Sequence, residues 1–149
     1  MIFFTVGTTD FDALVAAGDA LAAASNEPVI IQIGQGDVEP QHAEWFRFAP
    51  SLDAYYTRAD VVVTHGGLGT VTEALHRGLR LVGVSNPDRF DRHQDQILGA
   101  FEQAGYLVWC RDLADLPRAI EQARHAAFVP YAAPASHIHQ VIRQFLDQL

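Results

Sequence analysis

The sequence predicts a doubly wound α/β fold, a parallel sheet with helices on both faces. Short apolar runs such as "IFFTVG", "PVIIQIG", "DVVVTH" and "LRLVGVS" alternate with amphipathic stretches, which is how repeated βαβ units read in sequence. Glycines stand where helices should stop or strands should turn, at Gly78, at Gly105 and in Gly66-Gly67-Leu68-Gly69. At 149 residues and 49% hydrophobic, the chain has the length and composition of one globular domain with a sizeable core.

Element by element, "IFFTVG" is a buried strand and "FDALVAAGDALAAAS" an alanine-rich helix with Leu14, Val15 and Leu21 facing inward. "PVIIQIG" is the second strand and "WFRFAP" a shorter third; "SLDAYYTRA" is a short helix with Ser51 as its N-cap. The strand "DVVVTH" follows, then the helix "TVTEALHRG" ending at Gly78 and the strand "LRLVGVS". The helix "RHQDQILGAFEQAG" ends at Gly105, and "YLVWC" is the last strand. "DLADLPRAIEQARHAA" and "SHIHQVIRQFLDQL" read as closing helices, joined by the proline-bearing loop "VPYAAPAS". No repeat or low-complexity tract interrupts the series.

Composition narrows the function classes. A formal charge of -8 argues against a nucleic-acid footprint and against docking on anionic lipid. The single cysteine, Cys110, cannot pair within the chain, which points to a reducing cytosol. The start "MIFFTVGTTD" has neither the basic residues nor the length of a leader, and no run approaches the roughly 20 residues of a membrane span. All ten basic residues are arginine. Without lysine, a phosphate loop of the G-x-x-x-x-G-K-[ST] kind and Schiff-base chemistry are both excluded, since each needs an amine. Any phosphate must be held by amides, a helix dipole, hydroxyls, His or Arg.

"VVVTHGGLGTVTEAL", residues 61–75, meets that demand. A strand ending at His65 feeds glycines that let backbone amides approach a ligand, and the helix starting near Thr70 aims its free N–H groups at the same spot. His65 can donate to a phosphate oxygen, and the Glu73 carboxylate, one turn in, suits the vicinal hydroxyls of a ribose. Thr70-x-x-Glu73 equally fits a capping box, which needs no ligand. "SNPDRFDRHQDQ", 85–96, should lie beside the glycine loop on a parallel sheet. There Asp91, His93 and Gln94 offer hydroxyl-binding groups, and Arg89 and Arg92 suit a carboxylate or phosphate. Asp91-x-x-Gln94 also fits a capping box, and the arginines a solvated face. Thr8 and Thr9, after the first strand, either touch phosphate or cap the next helix. His137-x-His139 is not read as a metal site, because i and i+2 do not share a helix face.

"FFTVGTTDFDALV", "ADVVVTHGGLGTVTEAL" and "DRHQDQILGAFEQAG" together resemble the C-terminal, sugar-nucleotide-binding domain of family 28 glycosyltransferases, over essentially the whole chain and in order. More narrowly, the chain resembles the small subunit of split enzymes of that family, eukaryotic transferases adding the second GlcNAc to dolichol-linked GlcNAc and bacterial exopolysaccharide or capsule glucosyl- and glucuronosyltransferases. "VSNPDRFDRHQDQ" looks most like the exopolysaccharide members. The resemblance implies a Rossmann-like domain, residues 1–149, equivalent to the C-terminal half of a GT-B enzyme. It implies that residues 66–70 (Gly66, Gly67, Leu68, Gly69, Thr70) hold the diphosphate of a UDP-sugar beside His65, that Glu73 holds the ribose, and that Phe48 and Ala49 flank the uracil. His93 and Gln94 would meet the donor sugar, joined by Arg89 or Arg92 if it is glucuronate. Such enzymes are typically inverting and metal-independent, so neither metal nor cofactor is expected, and the amides and helix dipole would stabilise departing UDP.

The resemblance covers one of two domains. It therefore implies a membrane-anchored partner that carries a lipid-linked saccharide acceptor, or else self-association, with this chain cytoplasmic and recruited by a partner to the inner face of the membrane. The catalytic base is unassigned, His65 and Asp10 being the candidates in this chain. Two other readings stay open. One is a non-catalytic UDP-sugar-binding regulator. The other is a dinucleotide-dependent oxidoreductase using Gly67-x-Gly69 with Asp88 about 20 residues on, although Thr72 replaces its third glycine.

Overall fold

The computed structural model describes residues 1–88, 93–132 and 137–148, the first three of the last segment by backbone alone. Six parallel strands form one sheet in the order β3-β2-β1-β4-β5-β6. They are β1 Ile2–Thr5, β2 Val29–Gln32, β3 Glu44–Phe46, β4 Val61–His65, β5 Leu81–Val84 and β6 Val108–Cys110. The helices are α1 Asp12–Ala24, α2 Asp53–Arg58, α3 Leu68–His76, α4 His93–Gln103, α5 Leu116–His125 and α6 His137–Asp147.

Strand side chains alternate between two apolar layers, which is why the strands read as nearly unbroken hydrophobic runs. Ile2, Phe4, Ile31, Val63 and Val82 pack on one face with Leu14 and Val15 of α1 and Ile120 of α5. Phe3, Ile30, Val62 and Leu81 pack on the other with Tyr56, Val71, Leu98 and Ile142 from α2, α3, α4 and α6.

Helix ends follow their glycines. Gly78 and Gly105 have φ of 70° and 82°. Each closes a helix with paired bonds: Gly78 N–H to Leu75 and Leu79 N–H to Ala74 after α3, Gly105 N–H to Glu102 and Tyr106 N–H to Phe101 after α4.

Several boundaries differ from expectation, the strands ending shorter than their apolar runs. β3 stops at Phe46, and the Arg47 side chain that follows donates to the carbonyls of Gly34 and Gly36. α2 has Leu52 as its N-cap; Ser51, one residue earlier, accepts the Asp53 N–H at 3.1 Å. α3 starts at Leu68 with Gly67 as N-cap, so Thr70 sits inside the first turn. The helix expected over 112–127 divides into a 3-10 turn, Leu113–Asp115, capped by Asp112, and then α5 with Pro117 in its first turn.

The β2–β3 connection contains no helix. Instead α1 clamps it: Asp12 accepts the amides of Asp37 and Val38, and Asp19, two turns on, accepts those of Gln41, His42 and Ala43 at 2.7–3.0 Å.

Candidate functional site

β1 and β4 are neighbours at the centre of the sheet, yet β1 leads to α1 on one face and β4 to α3 on the other. A crevice opens where the two connections diverge, beyond the carboxyl ends of the strands. Thr5 is in register with Thr64, and Thr64 with Gly83, so the loops after β1, β4 and β5 leave the sheet at one level. The base of the crevice is polar and bonded: Thr5 Oγ1 donates to Gln32 Oε1 at 2.5 Å, and Thr64 Oγ1 to the Thr5 carbonyl at 2.9 Å.

His65, 7% exposed, is the hub. Its Nδ1 accepts the Gly67 N–H at 3.1 Å, which places the proton of the neutral ring on Nε2. Nε2 lies towards Gly7 and the Thr70 hydroxyl; a Cβ built on Gly7 would be 3.2 Å from the one and 3.3 Å from the other. A Cβ on Gly67 would run into the imidazole itself, so this glycine is required by the closeness of the ring. The first i→i−4 bond of α3 joins Val71 N–H to the Gly67 carbonyl at 3.0 Å. The amides of Leu68, Gly69 and Thr70 precede it and lack helical partners. Together with the dipole of α3, they form a donor set for an anion without a cationic side chain.

The placement refines the expected phosphate cradle. The amides of Gly66 and Gly67 are already engaged, the first by Gln94 Oε1 at 3.3 Å and the second by His65. Only those of residues 68–70 remain for a ligand. The Thr9 hydroxyl donates to the Val6 carbonyl at 2.9 Å and so closes its own turn; it does not cap α1, whose N-cap is Phe11 with no side-chain bond, whereas Thr8 is exposed. Glu73 does not complete a capping box, since Thr70 is not the N-cap. Its carboxylate is 49% exposed and lies 3.5 Å from Arg77, which is itself bonded to Asp53 at 2.5 Å. Phe48 is 53% exposed and Ala49 half-buried, both past the end of β3. Asp10 is exposed at the end of the β1 loop.

His93 and Gln94 open α4 beside the glycine loop, as the parallel sheet requires. Arg89, Asp91 and Arg92 lie outside the described residues. Among the described residues no group of three or more His, Cys, Asp or Glu is placed to hold a metal, and no helix is long and apolar enough to cross a membrane.

Sequence reasoning missed Asn86, 8% exposed. Its Oδ1 accepts the Asp88 N–H at 3.0 Å and its Nδ2 donates to the Asp10 carbonyl at 3.3 Å. The Asn-Pro pair at 86–87 was the available signal, a turn former directly after a strand. Arg77 and Asp53 were missed because their pairing joins two helices and has no local pattern.

Residues 1–145 match the family described as glycosyltransferase family 28 C-terminal domain. The chain belongs to this family. A human relative, UDP-N-acetylglucosamine transferase subunit ALG13, is 34% identical over 122 residues, 73% of this chain but 11% of that protein. The chain thus spans about a tenth of the length of the human relative it matches. The NMR structure of ALG13 superposes with a TM-score of 0.62 at 20% identity, covering 96% of this chain and 93% of that one. MurG of Acinetobacter baumannii also gives 0.62 at 20% identity, covering 98% of this chain and 49% of that one. The fold of this family 28 domain is therefore that of the C-terminal half of a GT-B glycosyltransferase.

Proposed function

We propose that this family 28 domain binds a UDP-sugar and, with a second subunit that carries the acceptor, transfers the sugar to a lipid-linked saccharide. The observation that carries the reading is the convergence at the crevice of His65, the Thr70 hydroxyl and the free first-turn amides of α3, with the exposed carboxylate of Glu73 one turn further along. The amides of Leu68, Gly69 and Thr70 would take the diphosphate, with Nε2–H of His65 and the Thr8 hydroxyl as further donors. Glu73 would accept the two ribose hydroxyls, and Phe48 and Ala49 would border the uracil. His93, with Gln94, would lie on the sugar side.

In transfer, negative charge grows on the leaving diphosphate. Fixed donors already pointing at that position stabilise it without reorganisation, which is the role a cation plays elsewhere. No metal or other cofactor is invoked, the outcome is inversion, the acceptor belongs to the partner, and its base to the partner or to the exposed Asp10. His65, buried with Nδ1 already accepting the Gly67 amide and the proton on Nε2, serves as a donor and not as the base the sequence offered. A membrane-anchored partner would hold the domain at the inner face of the membrane. Because the ALG13 relatives are UDP-N-acetylglucosamine transferase subunits, UDP-GlcNAc is the first donor to try; the exopolysaccharide-like stretch 84–96 keeps UDP-glucose and UDP-glucuronate beside it.

Calorimetric titration with UDP, these three UDP-sugars and NADH tests the reading. Binding of UDP compounds alone is expected, weakened about 10- to 100-fold by Glu73→Ala through loss of charge-assisted bonds to the ribose. Saturable NADH binding with silence towards every UDP compound would replace it with the oxidoreductase reading. UDP-sugar binding without transfer in the presence of a partner would leave the regulatory module.

A further inference from the structure

We propose that Asn86 and Gln94 form a tie that sets the spacing of the loops after β1, β4 and β5, so that Gln94 acts on a bound diphosphate through the backbone. The inference rests on reading this crevice as the UDP-sugar site. Gln94 Oε1 accepts two backbone amides, from Asn86 at 2.8 Å and from Gly66 at 3.3 Å. Backbone amides only donate, so the carboxamide oxygen is committed inward and its nitrogen is turned away from both. The segments are also in direct contact: a Cβ on Gly66 would stand 2.6 Å from Gln94 Cβ and 3.0 Å from its Cα.

Asn86 extends the tie to the third loop by donating to the Asp10 carbonyl at 3.3 Å, while its oxygen closes its own turn on Asp88. β1 and β5 flank β4 without touching each other. They are about 10 Å apart at ordinary strand spacing, so no sheet bond holds the β1 loop to the β5 loop. The Asn86–Asp10 bond crosses the end of β4, where His65 and Gly66 lie. Gln94 fastens Gly66 to the same point. The glycine loop is thereby held at Gly66 by Gln94 as well as at Gly67 by the His65 ring, and the first amides of α3 keep the aim a diphosphate requires.

Amide hydrogen exchange on the full, nitrogen-15-labelled chain tests the tie directly. Gln94→Met keeps the side-chain length and removes the oxygen; it is expected to speed exchange of both the Gly66 and Asn86 amides about tenfold or more, with the strand amides unchanged. Gln94→Glu, which keeps an acceptor oxygen in place of Oε1, is expected to retain slow exchange. Unprotected Gly66 and Asn86 amides in the unaltered chain, or a Gln94→Met chain that protects them equally well, would overturn the tie.

Calorimetry with UDP, which carries no sugar, separates positioning from sugar contact. Gln94→Met and Asn86→Ala are each expected to weaken UDP about tenfold. Unchanged UDP affinity with loss confined to UDP-GlcNAc would make Gln94 a sugar ligand and refute the positioning role. No UDP binding by the unaltered chain would reject the site reading and the functional half of this inference together, while the exchange rates would still judge the tie itself.

Discussion

His65 shows how one side chain organises the crevice. Buried at the end of β4, it accepts the Gly67 amide and directs its other nitrogen towards Gly7 and Thr70, so its ring is both support and donor. Tyr56 is a contrasting case. It is 2% exposed, its hydroxyl has no hydrogen-bond partner among the described residues, and the Arg77 guanidinium lies 5.1 Å from the ring centroid. Burial above all pushes its hydroxyl up to about 12; the charges of Glu73 and Asp53 add to this and Arg77 opposes it. Since a buried hydroxyl without a partner costs about 1–3 kcal/mol, Tyr56→Phe should leave stability unchanged or raise it, read as the urea midpoint. A lowered midpoint would mean that the hydroxyl has a partner in solution.

At the scale of elements, α1 does more than cover the sheet. Asp12 and Asp19 replace the missing crossover helix by holding the β2–β3 connection through backbone amides. Burial would raise the Asp19 carboxyl, but the amides of Gln41, His42 and Ala43 and the His42 ring outweigh it and hold it at about 2, below the ordinary 3.8. A depressed carboxylate stabilises the fold above its unfolded pKa, and that contribution disappears as pH falls through the folded value. Its size at neutral pH is about 2 kcal/mol. Asp19→Ala should therefore destabilise the chain near pH 7, and the gap from the unaltered protein should narrow between about pH 4 and pH 2. Chemical denaturation across that range measures it, and a gap independent of pH would reject the clamp as an ionised one.

For the whole molecule, the proposed reading makes the crevice one wall of a cleft, whose amides would meet a diphosphate and whose Glu73 carboxylate would meet a ribose, with the acceptor site on another subunit. The isolated chain should accordingly bind UDP-sugar without transferring it to a lipid-linked acceptor, and co-expression with a membrane-anchored subunit should bring transfer activity to the membrane fraction. Full transfer by the isolated chain would refute the split arrangement.

What the sequence by itself determined was whatever depends on neighbours along the chain. The alternation of apolar residues in the strands, the helix stops at Gly78 and Gly105, and a glycine turn entering a helix after His65 all follow from local backbone and side-chain preferences. They were enough for the parallel doubly wound sheet, and for the crevice where α1 and α3 diverge. Only the tertiary structure decided which donors in that crevice are free. Gly66 and Asn86 meet through Gln94, Asn86 reaches Asp10 across 76 residues, and Arg77 takes Asp53 across 24. A capping box and a ligand site share one local pattern; the hydrogen-bond partners that tell them apart come from distant segments, brought together by burying both faces of the sheet.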